Sequence, residues 1–166
     1  MLSADRLREL AEGHFAAENS RDLDAIRATI HDDVDYYVKA PSYPNDPRPF
    51  GVLSGADGYI KVWEDLYEQF ADYSIHLDDV LPWPERNQAL TLVTITATPA
   101  QEFEGLPAGR PIRYSVAALV DFNDEGEMTA ETVYGNAFML SRGLRRMREF
   151  AAESGAGTAA DAVQAE

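Results

Sequence analysis

The sequence predicts an α+β fold, with helices first and a long antiparallel sheet after them. Two patterns carry this. The first 70 residues hold three segments whose apolar residues recur at helical spacing. From Tyr73 onward the pattern changes to β-branched and alternating segments, separated by turns rich in Gly, Pro and Asn. With 166 residues, 45% hydrophobic and 26% charged, the chain is long enough and apolar enough for one globular core. We expect a single domain over residues 1–150 and a disordered acidic tail over 151–166, where large apolar residues are almost missing.

Ser3 can cap a first helix running to about Asn19. Leu7, Leu10, Ala11, His14 and Phe15 form its apolar stripe. His14 is the odd member, a titratable ring among apolar neighbours. It is either a core histidine hydrogen-bonded to a neighbour or a group pointing into a pocket. Asp22 can cap a short helix marked by Leu23, Ile26 and Ile30 and ending near His31. Val34 to Lys39 reads as a strand. Tyr36 and Tyr37 fall on opposite faces of it, so at most one points inward.

Ala40 to Pro49 holds four prolines and reads as a loop. Gly55 to Phe70 is the third helix, with a broad aromatic stripe built on Tyr59, Trp63, Tyr67 and Phe70. Tyr73 to Leu81 and Ala89 to Thr98 are strands joined by a turn at Pro82 to Asn87. Ile112 to Phe122 follows a connection over Glu104 to Pro111. Its nearly continuous apolar run suggests a strand covered on both faces. Asn123 to Gly126 is a tight hairpin turn.

The last strand, from Met128, places Thr132, Tyr134 and Asn136 on one face and Glu131, Val133 and Gly135 on the other. The first set reads as a polar row lining a cavity. Phe138 to about Glu153 continues as a helix.

Composition removes several function classes. The net charge of −15 argues against nucleic acid and against anionic membrane surfaces. The absence of Cys removes disulfides and thiolate chemistry, and three well-separated His do not suggest a metal site. No apolar run approaches the ~20 residues of a membrane span. A soluble, cytoplasmic protein without a cofactor is expected.

A strongly curved sheet wrapped around the first helices would enclose a conical cavity. Four segments carry a resemblance to a known family: HFAAENSRDLDAI, FGVLSGADGYIKVWEDLYEQFAD, EFEGLPAGRPI and GEMTAETVYGNAFMLSRGL. In this order and spacing the chain resembles the nuclear transport factor 2-like fold, and within it the SnoaL-like polyketide cyclases. For such cyclases the resemblance implies an acid/base Asp on the last strand, in an intramolecular aldol closure. Asn136 stands at that position here. Ketosteroid isomerases of the fold use a Tyr on the first helix and an Asp on the first strand, where this chain has His14 and Val38. The Arg-x-Asp of epoxide hydrolases is missing from Ala89 to Thr98.

The residues expected at the cavity are His14, Tyr36 or Tyr37, Trp63, Tyr114, Thr132, Tyr134 and Asn136. Of these, His14, Tyr134 and Asn136 are the catalytic candidates, and the rest would bind substrate. Two mechanisms fit. In one, His14 is the only acid/base group and Tyr134 or Asn136 holds an oxyanion. In the other, a carboxylate-poor chamber folds a polyketide-like chain for a [4+2]-like closure without proton exchange. A non-catalytic ligand-binding or scaffold protein, and a His-dependent isomerase or dehydratase, are the alternatives. The resemblance also implies a homodimer formed through the outer face of the sheet.

Overall fold

The computed structural model describes residues 1–39, 52–102 and 107–134. The proline-rich loop over 40–49, Asn136, the helix expected from Phe138 and the tail over 151–166 lie outside the described residues.

Helix α1 spans Ala4–Ser20. Ser3 caps it by accepting from the Arg6 N–H, and Arg21 closes it in the left-handed region at φ 60°. Helix α2, Leu23–Arg27, is capped by Asp22, whose carboxylate accepts from the Asp24 and Ala25 N–H groups. It is shorter than expected. Ile30 and His31 already belong to strand β1, Ile30–Lys39, because Ile30 pairs with Met128 in the sheet. Strand β2, Val52–Ser54, leads through Gly55 at φ 86° into α3, Ala56–Gln69. A positive φ of this kind favours glycine.

Strand β3, Ser74–Trp83, runs through Pro82, where a turn was expected. Among the described residues it is an edge strand of the sheet, where proline's missing N–H leaves no ladder bond unmade. A 3-10 turn over Pro84–Arg86 and the left-handed Asn87 reverse the chain into β4, Gln88–Ala97. Strands β5, Ile112–Phe122, and β6, Met128–Tyr134, complete the sheet.

Among the described residues, six strands form a curved, open sheet in the order β2-β1-β6-β5-β4-β3. All pairs are antiparallel except β1 with β6. This is the α+β, nuclear transport factor 2-like arrangement expected. α1 packs on β3 and β4, and α3 on β1. Asn19 ties the end of α1 to β3, donating to the Ile75 carbonyl at 2.6 Å and accepting from its N–H at 2.8 Å.

Register identifies the inner face. Ala89, Val120, Glu131 and Tyr36 are successive cross-strand partners, and Thr91, Ala118 and Val133 form the next row. Val116, Ala118, Val120 and Phe122 are buried while their neighbours in β5 are only partly covered, so this strand alternates rather than being enclosed on both sides. Leu7, Ala11 and Phe15 of α1 join Tyr59 and Trp63 of α3 and the inner face of the sheet in one core. Each fully buried Leu, Ile or Val of this set contributes about 1.5–3 kcal/mol.

Candidate active site

Within that apolar core, four polar groups come together in one cluster. His14 and Glu18 are one turn apart on α1, Tyr59 comes from α3, and Glu131 from β6. Their exposures are 1%, 1%, 1% and 4%. The Tyr59 hydroxyl is the hub. It lies 3.0 Å from His14 Nε2, 2.9 Å from Glu18 Oε1 and 2.7 Å from Glu131 Oε2. His14 Nε2 is also 3.0 Å from Glu18 Oε1. On the far side of the ring, Nδ1 meets the Thr29 hydroxyl at 2.7 Å.

Counting protons constrains the ionisation of the site. One phenol hydrogen cannot serve two carboxylates. The 2.9 and 2.7 Å contacts are both made if Tyr59 donates to Glu18 and a protonated Glu131 donates to the Tyr59 oxygen. His14 Nε2–H then completes the set by donating to Glu18. In this arrangement the imidazolium charge balances one carboxylate, and the group as a whole is neutral. Loss of one proton leaves a net charge of −1 in a low-dielectric core, which is costly.

The electrostatics follow from this geometry. Burial, followed by repulsion from Glu18, raises Glu131 from 4.5 to about 7, against the pull of His14 and the Tyr59 hydrogen bond. Burial acts to lower His14, but Glu18 and, more weakly, Glu131 outweigh it, and the ring is held above its ordinary value. Burial, then Glu131 and Glu18, push Tyr59 and Tyr36 well above the usual phenol range. Glu131 is therefore the member poised to exchange a proton near neutrality. Glu18 Oε2 is buried with no hydrogen-bond partner among the described residues.

The ligand atoms of His14, Glu18 and Glu131 lie within 4.8 Å of one another, close enough to share a cation. The Tyr59 hydroxyl already stands within 3.0 Å of all three. A metal would need to take its oxygen as a fourth ligand or displace the ring.

Of the residues singled out in the sequence, His14 is at this cluster. Tyr36 is the inward tyrosine of β1. It is the cross-strand neighbour of Glu131 and packs edge-on against the Tyr59 ring at 5.5 Å. Tyr37 faces the other way and donates to Asp35 at 2.8 Å. Trp63 is buried and continues the aromatic row from Tyr59 to Tyr67 and Tyr73. Tyr114 is partly buried against the same core, in hydrogen-bond contact with Tyr73.

The polar row on β6 requires correction. Glu131 reaches Tyr59, so its side of the strand is the inner one. Thr132 and Tyr134, which alternate with it, are on the outer face. Thr132 is buried there, and Tyr134 is 45% exposed. Neither belongs to the cluster, and Asn136 lies outside the described residues. The expectation of a carboxylate-poor interior is corrected with it, since Glu18 and Glu131 are both inside.

The reason is tertiary. Strand alternation separates the two sets of residues but does not say which set turns inward. Glu131 turns inward because α1 and α3 bring it a histidine and a phenol. The one signal available beforehand is the His14–Glu18 spacing of four residues, which puts both on the same helix face.

Comparison with known proteins gives a match over most of this structure. The model of a family described as a SnoaL-like domain matches residues 11–131, a span that contains all four members of the cluster. No curated protein gives a match. Among solved structures, IdmH of Streptomyces antibioticus, a proposed polyketide cyclase, is 23% identical, covering 81% of this chain and 96% of its own, with a TM-score of 0.66. AclR of Streptomyces galilaeus, a proposed hydroxylase, is 20% identical, covering 79% of each chain at 0.61. A cystatin-like protein of unknown function from Methylobium petroleophilum is 16% identical, covering 80% of this chain and 76% of its own at 0.59. At these identities the likeness speaks for the fold alone.

Proposed function

The chain belongs to the SnoaL-like domain family, and from that premise we propose that it is a cofactor-independent cyclase of a polyketide-like small molecule that closes a ring by acid/base catalysis. The observation that carries the reading is the buried Tyr59 hub, which joins His14, Glu18 and a Glu131 raised to about 7. A carboxyl group titrating near the working pH is the best general acid/base a site can hold.

In this reading Glu131, as the carboxylate, takes a proton from a carbon next to a carbonyl. The enolate carbon bonds to a second carbonyl carbon of the same molecule. The resulting alkoxide takes up the proton that Glu131 has acquired. Tyr59 and His14 hold Glu131 in place and share the charge during the exchange. Tyr36, beside Glu131 on the inner face, and Trp63 supply apolar walls with polar tips. Such a protein works in the cytoplasm, as part of secondary-metabolite (antibiotic) biosynthesis. Pairing as a homodimer suits the outer sheet face, where Leu81, Trp83 and Leu92 are 40–49% exposed.

One observation favours a second reading. Each member of the cluster is at most 4% exposed, as in a polar network that merely holds a non-catalytic core together. Complementing a deletion strain with wild type or Glu131→Gln and profiling its metabolites separates the two. The cyclase reading expects Glu131→Gln to accumulate the open-chain precursor while its near-UV circular dichroism stays native. Full restoration of the ring-closed product by Glu131→Gln would refute it.

A further inference from the structure

Thr29 sits in the short link between α2 and β1, and three hydrogen bonds meet there. Its hydroxyl contacts the Ile26 carbonyl at 2.7 Å. Its own carbonyl accepts the Met128 N–H at 3.0 Å, at the start of the strand that carries Glu131. Its hydroxyl oxygen also lies 2.7 Å from His14 Nδ1.

A carbonyl oxygen has no hydrogen to give, so the hydrogen in the Ile26 contact is that of Thr29. The hydroxyl then has only lone pairs to offer His14. At 2.7 Å two lone pairs would repel, so Nδ1 carries a hydrogen and donates it. The remaining nitrogen, Nε2, is the one that faces Glu18 and Tyr59. The tautomer of a histidine is set by the bond that its other nitrogen makes.

We infer that Thr29 is a positioning residue: it locks His14 as the Nδ1–H form and so directs the exchangeable nitrogen into the Glu18–Tyr59–Glu131 cluster. No residue of the sequence pattern pointed to Thr29, and nothing in its own chemistry marks it. Its role is geometric, through the ring. The groups facing His14 are Glu18 from α1, Tyr59 from α3 and Glu131 from β6, with Tyr36 of β1 behind Tyr59. Without the lock, His14 can put its single proton on Nε2. The imidazolium charge that balances one carboxylate of the cluster is then lost, because nothing holds the proton on Nδ1.

The inference rests on the acid/base reading for its consequence, but its structural half can be tested without any substrate. Nitrogen-15 spectra of the imidazoles report the tautomer directly, with His31 and His76 assigned by substitution. The wild type is expected to show His14 as Nδ1–H, or protonated on both nitrogens, throughout pH 5.5–8.5. Thr29→Val, which keeps the shape and loses the acceptor, is expected to shift His14 to Nε2–H or to move its titration by about one pH unit or more. Thr29→Ser is expected to restore the wild-type pattern.

A wild-type spectrum with His14 as Nε2–H alone overturns the inference, and this measurement needs no variant to fold. So does an unchanged His14 pattern in Thr29→Val. For the consequence, the pH profile of ring closure should shift in Thr29→Val and recover in Thr29→Ser. A switched tautomer with an unshifted profile overturns the positioning role. If ring closure survives Glu131→Gln, the cyclase mechanism falls, while the spectra still decide whether Thr29 holds His14.

Discussion

Replacing Glu131 with Gln should flatten the dependence of stability on pH between 5 and 8. Glutamine keeps the size of the side chain and can still hydrogen-bond Tyr59, but it does not titrate. In the wild type the carboxyl group is raised from 4.5 to about 7, so the folded state holds a proton that the unfolded chain has released. For a group shifted upward, that stability is fully present below the unfolded value of 4.5 and is lost as pH rises through about 7. A rise of this size corresponds to about 3 kcal/mol. About 2–3 kcal/mol of it is lost between pH 5 and 8, and the group is buried, so solvent screening does not reduce it. His14 is also raised and adds loss of the same sign as pH climbs through its own titration. The lowered groups Asp35, Asp72 and Asp124 act in the opposite sense, losing their contribution only as pH falls below about 3.8, outside this window. Urea unfolding followed by the fluorescence of buried Trp63 at pH 5, 6, 7 and 8 measures the effect. The stability of Glu131→Gln relative to wild type should climb by about 2–3 kcal/mol from pH 5 to 8, roughly 4–12 °C in Tm. A difference that stays constant within ~0.5 kcal/mol across the range would refute the proton count on which the site is built.

Two further changes test the structure around the cluster. Tyr59→Phe removes the hydroxyl that joins His14, Glu18 and Glu131. Leaving buried partners unmet should cost about 1–3 kcal/mol in urea unfolding at pH 6, and a neutral result would mean that water replaces the phenol at no cost. Asp22→Ala removes the cap whose carboxylate accepts from Asp24 and Ala25 at 3.0 and 3.2 Å. It should cost about 0.5–2 kcal/mol by differential scanning calorimetry, with the His14 nitrogen spectra unchanged.

Much of this protein can be read from its residues in order, because much of it is local. Ser3 and Asp22 are caps because a short polar side chain can reach back to the N–H groups two or three residues ahead. The α1 and α3 stripes follow from a period of 3.6, and β4 and β6 from a period of two. The boundaries that shifted, Ile30 into β1 and Pro82 into β3, depend on residues distant in sequence: Met128 pairs with the first, and among the described residues the second has a strand on one side only.

The chemistry of the interior was legible only in part. His14 stood out as a polar ring on an apolar stripe, and its identity and its position on the helix are properties of the chain alone. Glu131 did not stand out, because a carboxylate that alternates with Thr and Tyr on a strand looks like a solvated residue. Whether it meets water or an imidazole depends on the side of the sheet that the helices cover. That is settled by the curvature of the sheet and the packing of α1 and α3, which bring residues 14, 18 and 131 within hydrogen-bonding distance of a single oxygen, the Tyr59 hydroxyl. Amino-acid order specifies which groups exist and which face of an element they share. Only the folded chain excludes water from around them, and it is that exclusion which turns an ordinary glutamate into one that titrates near neutrality.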